Sequence, residues 1–285
     1  MNNLYKKISM LMLSASLCAL TATAQIQTPQ ASPAATLSQS IGLGKATIEY
    51  SRPALKGRKM FGAQVPYGKV WRTGANKITN LILSEDMLVN GQKVAAGTYA
   101  LFTIPTATDW TIILSKDANM WGAYEYKEAS DVLRFTVKSQ KLPKSQEYFT
   151  IEFTDFTATE ANVAISWENV LVKFALKNDP DEKIMAQIQQ ALAAPDVKSG
   201  TYFAAADYYY TTNRDLDKAY EWATKVVEQD QKYWTYYLRG KIAAKIGKCE
   251  VAVGDATKGL ALAKEAGDDA YILNNQKVLQ ACKGR

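Results

Sequence analysis

The stretch NGQKVAAGTYALFTIPTATDWTIIL, residues 90–114, decides how the first half of the chain is read. Asn90-Gly91 supplies the positive φ angles of a tight hairpin turn. Ala96-Gly97 makes a second turn, immediately before the run TYALFTI. That run and Trp110–Leu114 are rich in β-branched and aromatic residues and lack a helical period, so both read as strands. Working outward, Ala46–Tyr50, Leu81–Leu83, Val132–Val137, Tyr148–Phe156 and Val163–Leu176 share this character. Seven or more strands within 37–177 predict an antiparallel sandwich of jelly-roll type.

Asn178-Asp179-Pro180-Asp181 ends the pattern. Pro180 cannot continue a strand, and an acid after it suits a helix N-terminus. From 181 to 285 the period is helical, with six helices expected at about 181–193, 198–212, 215–229, 232–246, 248–264 and 268–283. Ala206 and Gly240 lie 34 positions apart, as do Asn213 and Gly247, while Ala219 and Ala252 are 33 apart. Small residues at that offset let paired helices approach, and the period resembles that of tetratricopeptide repeats. Tyr236, Gly240, Gly247, Ala252 and Gly259 fall near that family's consensus places, whereas Arg239 stands where Leu is usual and Lys264 where Pro is usual. The expected organisation is therefore multi-domain α and β, a β-sandwich followed by a helical repeat.

The first residues read as a leader. Lys6 and Lys7 precede an apolar run from Ile8 to Leu20, and Ala22-Thr23-Ala24 offers small residues for cleavage after Ala24. The apolar run is shorter than the roughly 20 residues a membrane-spanning helix needs. Leu17 before Cys18 disfavours a lipoprotein signal. Residues 25–36, QIQTPQASPAAT, read as a flexible lead-in. An exported protein, periplasmic or secreted and without a transmembrane segment after cleavage, is the expectation.

Composition removes whole classes of chemistry. The 285 residues contain no histidine and only three cysteines. Hydrolases with an imidazole base and the common zinc and copper sites are excluded, and no metal or cofactor is expected. Catalysis would have to rest on carboxylates, Tyr, Lys or Arg. Two cysteines remain after the leader, Cys249 and Cys282, nearly equidistant from a turn at Gly267 between the last two helices. An antiparallel hairpin would bring them together, so a disulfide is expected in an oxidising compartment.

Charge is unevenly placed. Of 34 basic residues two lie in the leader, leaving 32 against 28 acids. Residues 178–285 hold 15 of each sign, so the β half carries the whole excess. Within it, residues 45–77 bring eight basic side chains against the single acid Glu49. Such a bias suits an anionic partner, such as sulfated or uronic polysaccharide, phosphorylated lipid or an acidic peptide, or an internal set of ion pairs. Export argues against nucleic acid.

The string SRPALKGRKMFGAQVPYGKVWRTGANKITNLILS, residues 51–84, has too many glycines, prolines and arginines for regular structure. Long loops in compact domains are functional or ordered by specific contacts. Arg offers a planar fork for carboxylate or phosphate, and Trp offers a face for a sugar ring. Arg52, Arg58, Tyr67, Trp71, Arg72 and Asn76 are accordingly the ligand-binding candidates, the competing reading being that they knit the loop onto the sandwich. SRPALKGRKMFG at 51–62, VPYGKVWRTGAN at 65–76, NGQKVAAGTYALFTIP at 90–105, WTIILSKD at 110–117 and WENVLVKFAL at 167–176 together resemble a secreted family, the domain of unknown function 2911. The resemblance covers nearly the whole β half and implies export and a following helical repeat, but no chemistry.

Glu49, Asp109, Glu152, Asp155 and Glu168 lie on or beside strands, and two facing carboxylates would be needed for glycoside hydrolysis. Asp117 and Asn119 give too few donors for a calcium loop, and GLGK at 42–45 is too short to cradle phosphate. Tyr208–Tyr210 and Tyr233–Tyr237 enrich two helices in rings that cannot all face inward. The expected function is an exported, non-catalytic binding or scaffold protein of the cell envelope. Its β half would engage an anionic or glycan ligand and its helical half a protein. The alternatives are a carboxylate-dependent glycan hydrolase and a purely structural envelope protein.

Overall fold

A computed structural model describes residues 28–283, which divide into two units at Asp179/Pro180. The leader, with its cleavage after Ala24, lies outside the described residues.

The first unit holds ten strands: β1 (Ala34–Ile41), β2 (Gly44–Ser51), β3 (Asn80–Leu83), β4 (Met87–Val89), β5 (Gln92–Val94), β6 (Gly97–Pro105), β7 (Asp109–Ser115), β8 (Asp131–Lys138), β9 (Gln140–Thr154) and β10 (Glu160–Lys177). They form two antiparallel sheets, six-stranded in the order β1-β2-β3-β6-β7-β8 and four-stranded in the order β5-β4-β10-β9. Asn90 and Gly91, at φ 48° and 83°, make the hairpin between β4 and β5 as the sequence predicts. β1 begins three residues inside the segment read as lead-in. Ala34 to Ile41 pair with Ser51 to Gly44, and Ala35 and Leu37 pack against the core, so burial and the ladder draw those residues into the sheet. GLGK is the turn of this hairpin. Leu43 N–H donates to Asn178 Oδ1 (3.0 Å), and a Cβ on Gly42 would stand 2.5 Å from that oxygen.

The core fills the space between the sheets. Ile48, Leu81, Leu101, Ile112 and Leu114 from the larger sheet meet Val163, Ile165, Val172, Phe174 and Leu176 of β10. Alternate residues of β6 and β7 point the other way, and Ala100, Phe102 and Ile113 form a second apolar patch with Ile78. Met120, Ala123 and Tyr126 cover that patch. This explains why β6 is buried on both faces, unlike an ordinary strand of a two-layer sandwich.

The second unit consists of α1 (Asp181–Leu192), α2 (Ser199–Thr211), α3 (Leu216–Gln229), α4 (Tyr233–Lys245), α5 (Cys249–Ala266) and α6 (Asp269–Ala281). Asn213 and Gly247, the sequence pair 34 apart, end equivalent helices in the left-handed conformation at φ 52° and 81°. Ala206, Ala219 and Ala252 are fully buried where helices touch. A Cβ on Gly259 would come within 2.6 Å of Asn275 Oδ1, so only glycine permits the approach of α5 and α6. Cys249 and Cys282 form a disulfide across 33 positions, with Cα atoms 5.3 Å apart. The unit is a small helical repeat. Among the described residues no helix is long and apolar enough to cross a membrane.

Candidate functional site

The segment between β2 and β3 joins the two sheets. Pro53 to Leu55 leave β2 and pair with the edge of β9: Phe149 N–H donates to Pro53 O and Leu55 N–H to Glu147 O, both at 2.9 Å. Phe61 then enters the core, and Trp71 exchanges two backbone hydrogen bonds with Thr103 of β6 (2.8 and 2.9 Å). From Thr103 to Ala100 β6 advances three residues, while the opposing chain advances nine from Trp71 to Asn80. The six extra residues are extruded as the loop that carries Arg72 to Lys77.

The six predicted residues do not converge on one point. Trp71 turns inward, its ring 5.2 Å from Phe149, 6.0 Å from Phe61 and stacked at 6.0 Å on Trp167. Its indole N–H donates to Gly74 O (3.2 Å), closing the loop behind it. Bridged to β6 by its backbone, Trp71 packs its side chain against the core, which is why the ring is not laid open beside Arg72. Arg58 donates from Nε to Leu55 O (2.9 Å) and from Nη2 to Ala54 O (2.8 Å), fixing the preceding turn. Arg52 donates to Thr150 Oγ1 (3.0 Å) and stands 6.0 Å from the centre of the Tyr50 ring. Asn76, left-handed at φ 57°, donates to Ser32 O (3.1 Å) and Ser51 Oγ (3.4 Å). Tyr67 is half exposed, its ring against Gly62.

Arg72 differs from the other three arginines of this unit. Arg52 and Arg58 are engaged as above, and Arg134 binds Asp131, Glu128 and Tyr126. The Arg72 side chain has no hydrogen bond or ion pair among the described residues, and its Nε is buried without a partner. Buried polar groups almost always have partners, so this one needs a reason. Beside it, Thr73 is wholly buried at φ 55°, an uncommon conformation for a β-branched residue. Thr73 is held there by Oγ1 of Thr103 (3.1 Å) and by Thr79 Oγ1, which donates to its carbonyl (2.5 Å).

Sequence reasoning missed the residues that face Arg72. A Cβ built on Gly122 would lie 3.3 Å from Arg72 Nη1 and 2.7 Å from Tyr124 Cε2, so the guanidinium and the Tyr124 ring converge on Gly122. Trp121 and Tyr124 are 64% and 87% exposed. The signal was the stretch NMWGAYEY at 119–126, where rings fall in a glycine turn between strands rather than on an alternating face.

Glu49 and Glu152 are exposed, and Glu168 accepts from Met60 N–H. Asp155 is held by Asn162, Lys173 and Thr154, which lower its pKa to about 2. Among the described residues no three His, Cys, Asp or Glu gather as a metal site.

In the helical unit, α2, α4 and α6 line a cavity of about 430 Å³. Tyr210, Tyr237, Lys241, Lys245, Asn274 and Lys277 form its polar wall. Lys241 Nζ lies 4.6 Å from the Tyr210 ring centre, 5.2 Å from that of Tyr237 and 2.8 Å from Asp207 Oδ1. Lys245 caps the Tyr210 ring at 5.0 Å. Lys245 and Lys277 have no ion pair among the described residues. Burial, aided by Asp207, raises the Tyr237 pKa and keeps that phenol a neutral donor.

The two units define the class: a two-sheet antiparallel β-sandwich followed by a helical-repeat unit. The chain belongs to the family described as protein of unknown function DUF2911, whose profile matches residues 32–176. No curated protein and no solved structure matches the chain.

Proposed function

We propose that this is an exported, non-catalytic binding protein of the cell envelope, its β unit holding an anionic or glycan ligand and its helical unit an acidic protein segment. The observation that carries the reading is the groove of the helical unit. Two lysines without ion pairs and two tyrosines line a concave space of about 430 Å³, and Asp207 neutralises only Lys241. Ammonium groups beside phenols attract carboxylate side chains, while the rings supply apolar contact area at low entropic cost. The disulfide fits an oxidising compartment, in keeping with export. Glu168 and Asp155 are engaged by Met60 N–H and Lys173, which weighs against the use of these strand carboxylates in the hydrolase alternative.

The test is fluorescence anisotropy of the full mature chain with a labelled glutamate-rich peptide and its glutamine counterpart. The acidic peptide should bind, weaken steeply with salt, and lose about tenfold in affinity with Lys245→Ala/Lys277→Ala, a change of about 1.4 kcal/mol. Equal binding of both peptides, or binding that survives the double substitution, refutes the groove as the protein-binding site.

A further inference from the structure

We infer that Arg72, Lys77, Trp121 and Tyr124 form a binding site for an acidic sugar, a pyranose carrying a carboxylate or sulfate group. The inference rests on the reading that the β unit binds an anionic or glycan ligand, and it places that ligand on residues outside the aromatic core that holds Trp71.

Four observations carry it. Arg72 is the one arginine of the β unit without a protein partner among the described residues, its Nε turned inward so that only the Nη end can meet a ligand. A guanidinium in that state matches a carboxylate or sulfate, which its fork binds with two parallel hydrogen bonds. Trp121 and Tyr124 are the two most exposed large rings of the described residues and flank Gly122, on which the Tyr124 ring and Arg72 Nη1 converge. A pyranose presents an apolar face and a polar rim, and such rings offer it a matching flat apolar surface.

The turn is anchored rather than adrift. Met120, Ala123 and Tyr126 pack on Ile78, Phe102 and Ile113, and Ile78 N–H donates to Met120 O (3.2 Å). Tyr126 donates to Asp131 Oδ2 (2.8 Å) and accepts from Arg134 Nη2 (2.6 Å). The backbone of Trp121 is bridged to that of Lys77, which places a second, exposed cation on the neighbouring chain. The backbone that carries the two rings is thus fixed before binding, which lowers the ordering cost.

The backbone supports the same assignment. Gly122, at φ 80°, a conformation that residues with a side chain rarely adopt, lets the chain pass against Arg72 Nη1. Thr73 holds its strained conformation next to Arg72, and strain of that kind collects where a side chain must be aimed. Beside Met120, a polar cleft of about 370 Å³ lined by Lys116, Asp117, Asn119, Glu125 and Lys127 offers both donors and acceptors for neighbouring sugar hydroxyls.

Isothermal titration of the full mature chain tests this with oligogalacturonate, a heparin-derived oligosaccharide, a neutral cello-oligosaccharide and sodium sulfate as probes. One or both acidic oligosaccharides should bind, the stronger identifying the anionic group, with the neutral sugar and free sulfate at least tenfold weaker. Trp121→Ala and Arg72→Gln should each weaken binding tenfold or more at an unchanged melting temperature. Trp121 is exposed, so its variant remains a valid probe should Arg72→Gln fail to fold. Absence of acidic-sugar binding, equal binding of free sulfate, or undiminished binding by Trp121→Ala overturns the inference. If oligosaccharides bind but only Lys245→Ala/Lys277→Ala abolishes it, the site is wrong while a ligand-binding protein remains. If neither oligosaccharides nor the acidic peptide bind, the broader reading fails with it.

Discussion

Trp71 and Thr103 exchange a pair of backbone hydrogen bonds, so the tryptophan of the signature string is bridged to the six-stranded sheet and is not part of a free loop. Its ring therefore joins Phe61, Trp110, Phe149 and Trp167 in one aromatic cluster. Trp71→Ala should destabilise the β unit by about 3 kcal/mol through the cavity it leaves. Arg72→Ala, one residue on, removes no internal partner and should change stability by less than about 0.5 kcal/mol. Urea unfolding followed by tryptophan fluorescence measures both, and equal losses would show that the two residues share a structural role.

Arg239 and Asp255 are joined by two 2.7 Å hydrogen bonds within the helical unit, the acid being almost fully buried. Arg239 occupies the place where the repeat usually carries Leu, so an ion pair substitutes there for an apolar contact. Asp255→Ala strands the guanidinium and should cost about 3 kcal/mol, whereas Arg239→Leu/Asp255→Leu together should be close to neutral. Thermal unfolding of the three chains decides this, and additive losses in the double variant would contradict it.

The disulfide between Cys249 and Cys282 closes the last hairpin of the helical unit. For a loop of that length, chain entropy predicts about 3–4 kcal/mol of stabilisation. Reductant should lower the melting of the helical unit and leave the β unit unmoved, since residues 25–248 contain no cysteine. Calorimetry with and without reductant separates the two transitions.

Asp155 should titrate at about 2, because Asn162, Lys173 and Thr154 all hydrogen-bond the ionised form. Its folded pKa lies below the unfolded value near 3.9, so whatever stability it contributes is present above that value. That contribution is lost as pH falls from about 4 towards 2. Carboxyl-carbon NMR gives the midpoint directly, and Lys173→Met should raise it.

Much of this architecture was legible because it depends on local pattern. Asn90-Gly91 turned as expected since that dipeptide readily adopts the positive φ at both positions that one of the two common two-residue hairpin turns requires. The break at Pro180 and the equivalent Asn213 and Gly247 followed from backbone chemistry that no tertiary contact overrides. Cys249 and Cys282 could be paired because an antiparallel hairpin fixes which positions are opposite. The start of β1 was not legible, because QIQTPQASPAAT has no strand pattern and Ala34 to Thr36 are ordered by the ladder with β2.

The candidate site divides the same way. The sequence by itself determined that Arg52, Arg58, Trp71, Arg72 and Asn76 belong to one unusual segment, and that any chemistry here must do without histidine. Only the tertiary structure decided that Trp71 faces the core, that Arg58 and Asn76 hold backbone, and that Arg72 stands unpaired with its Nη1 and the Tyr124 ring converging on Gly122. The reason is that the direction of a side chain in an irregular segment is set by which strand it pairs with. Residues about 50 positions apart meet only when both sheet ladders have formed.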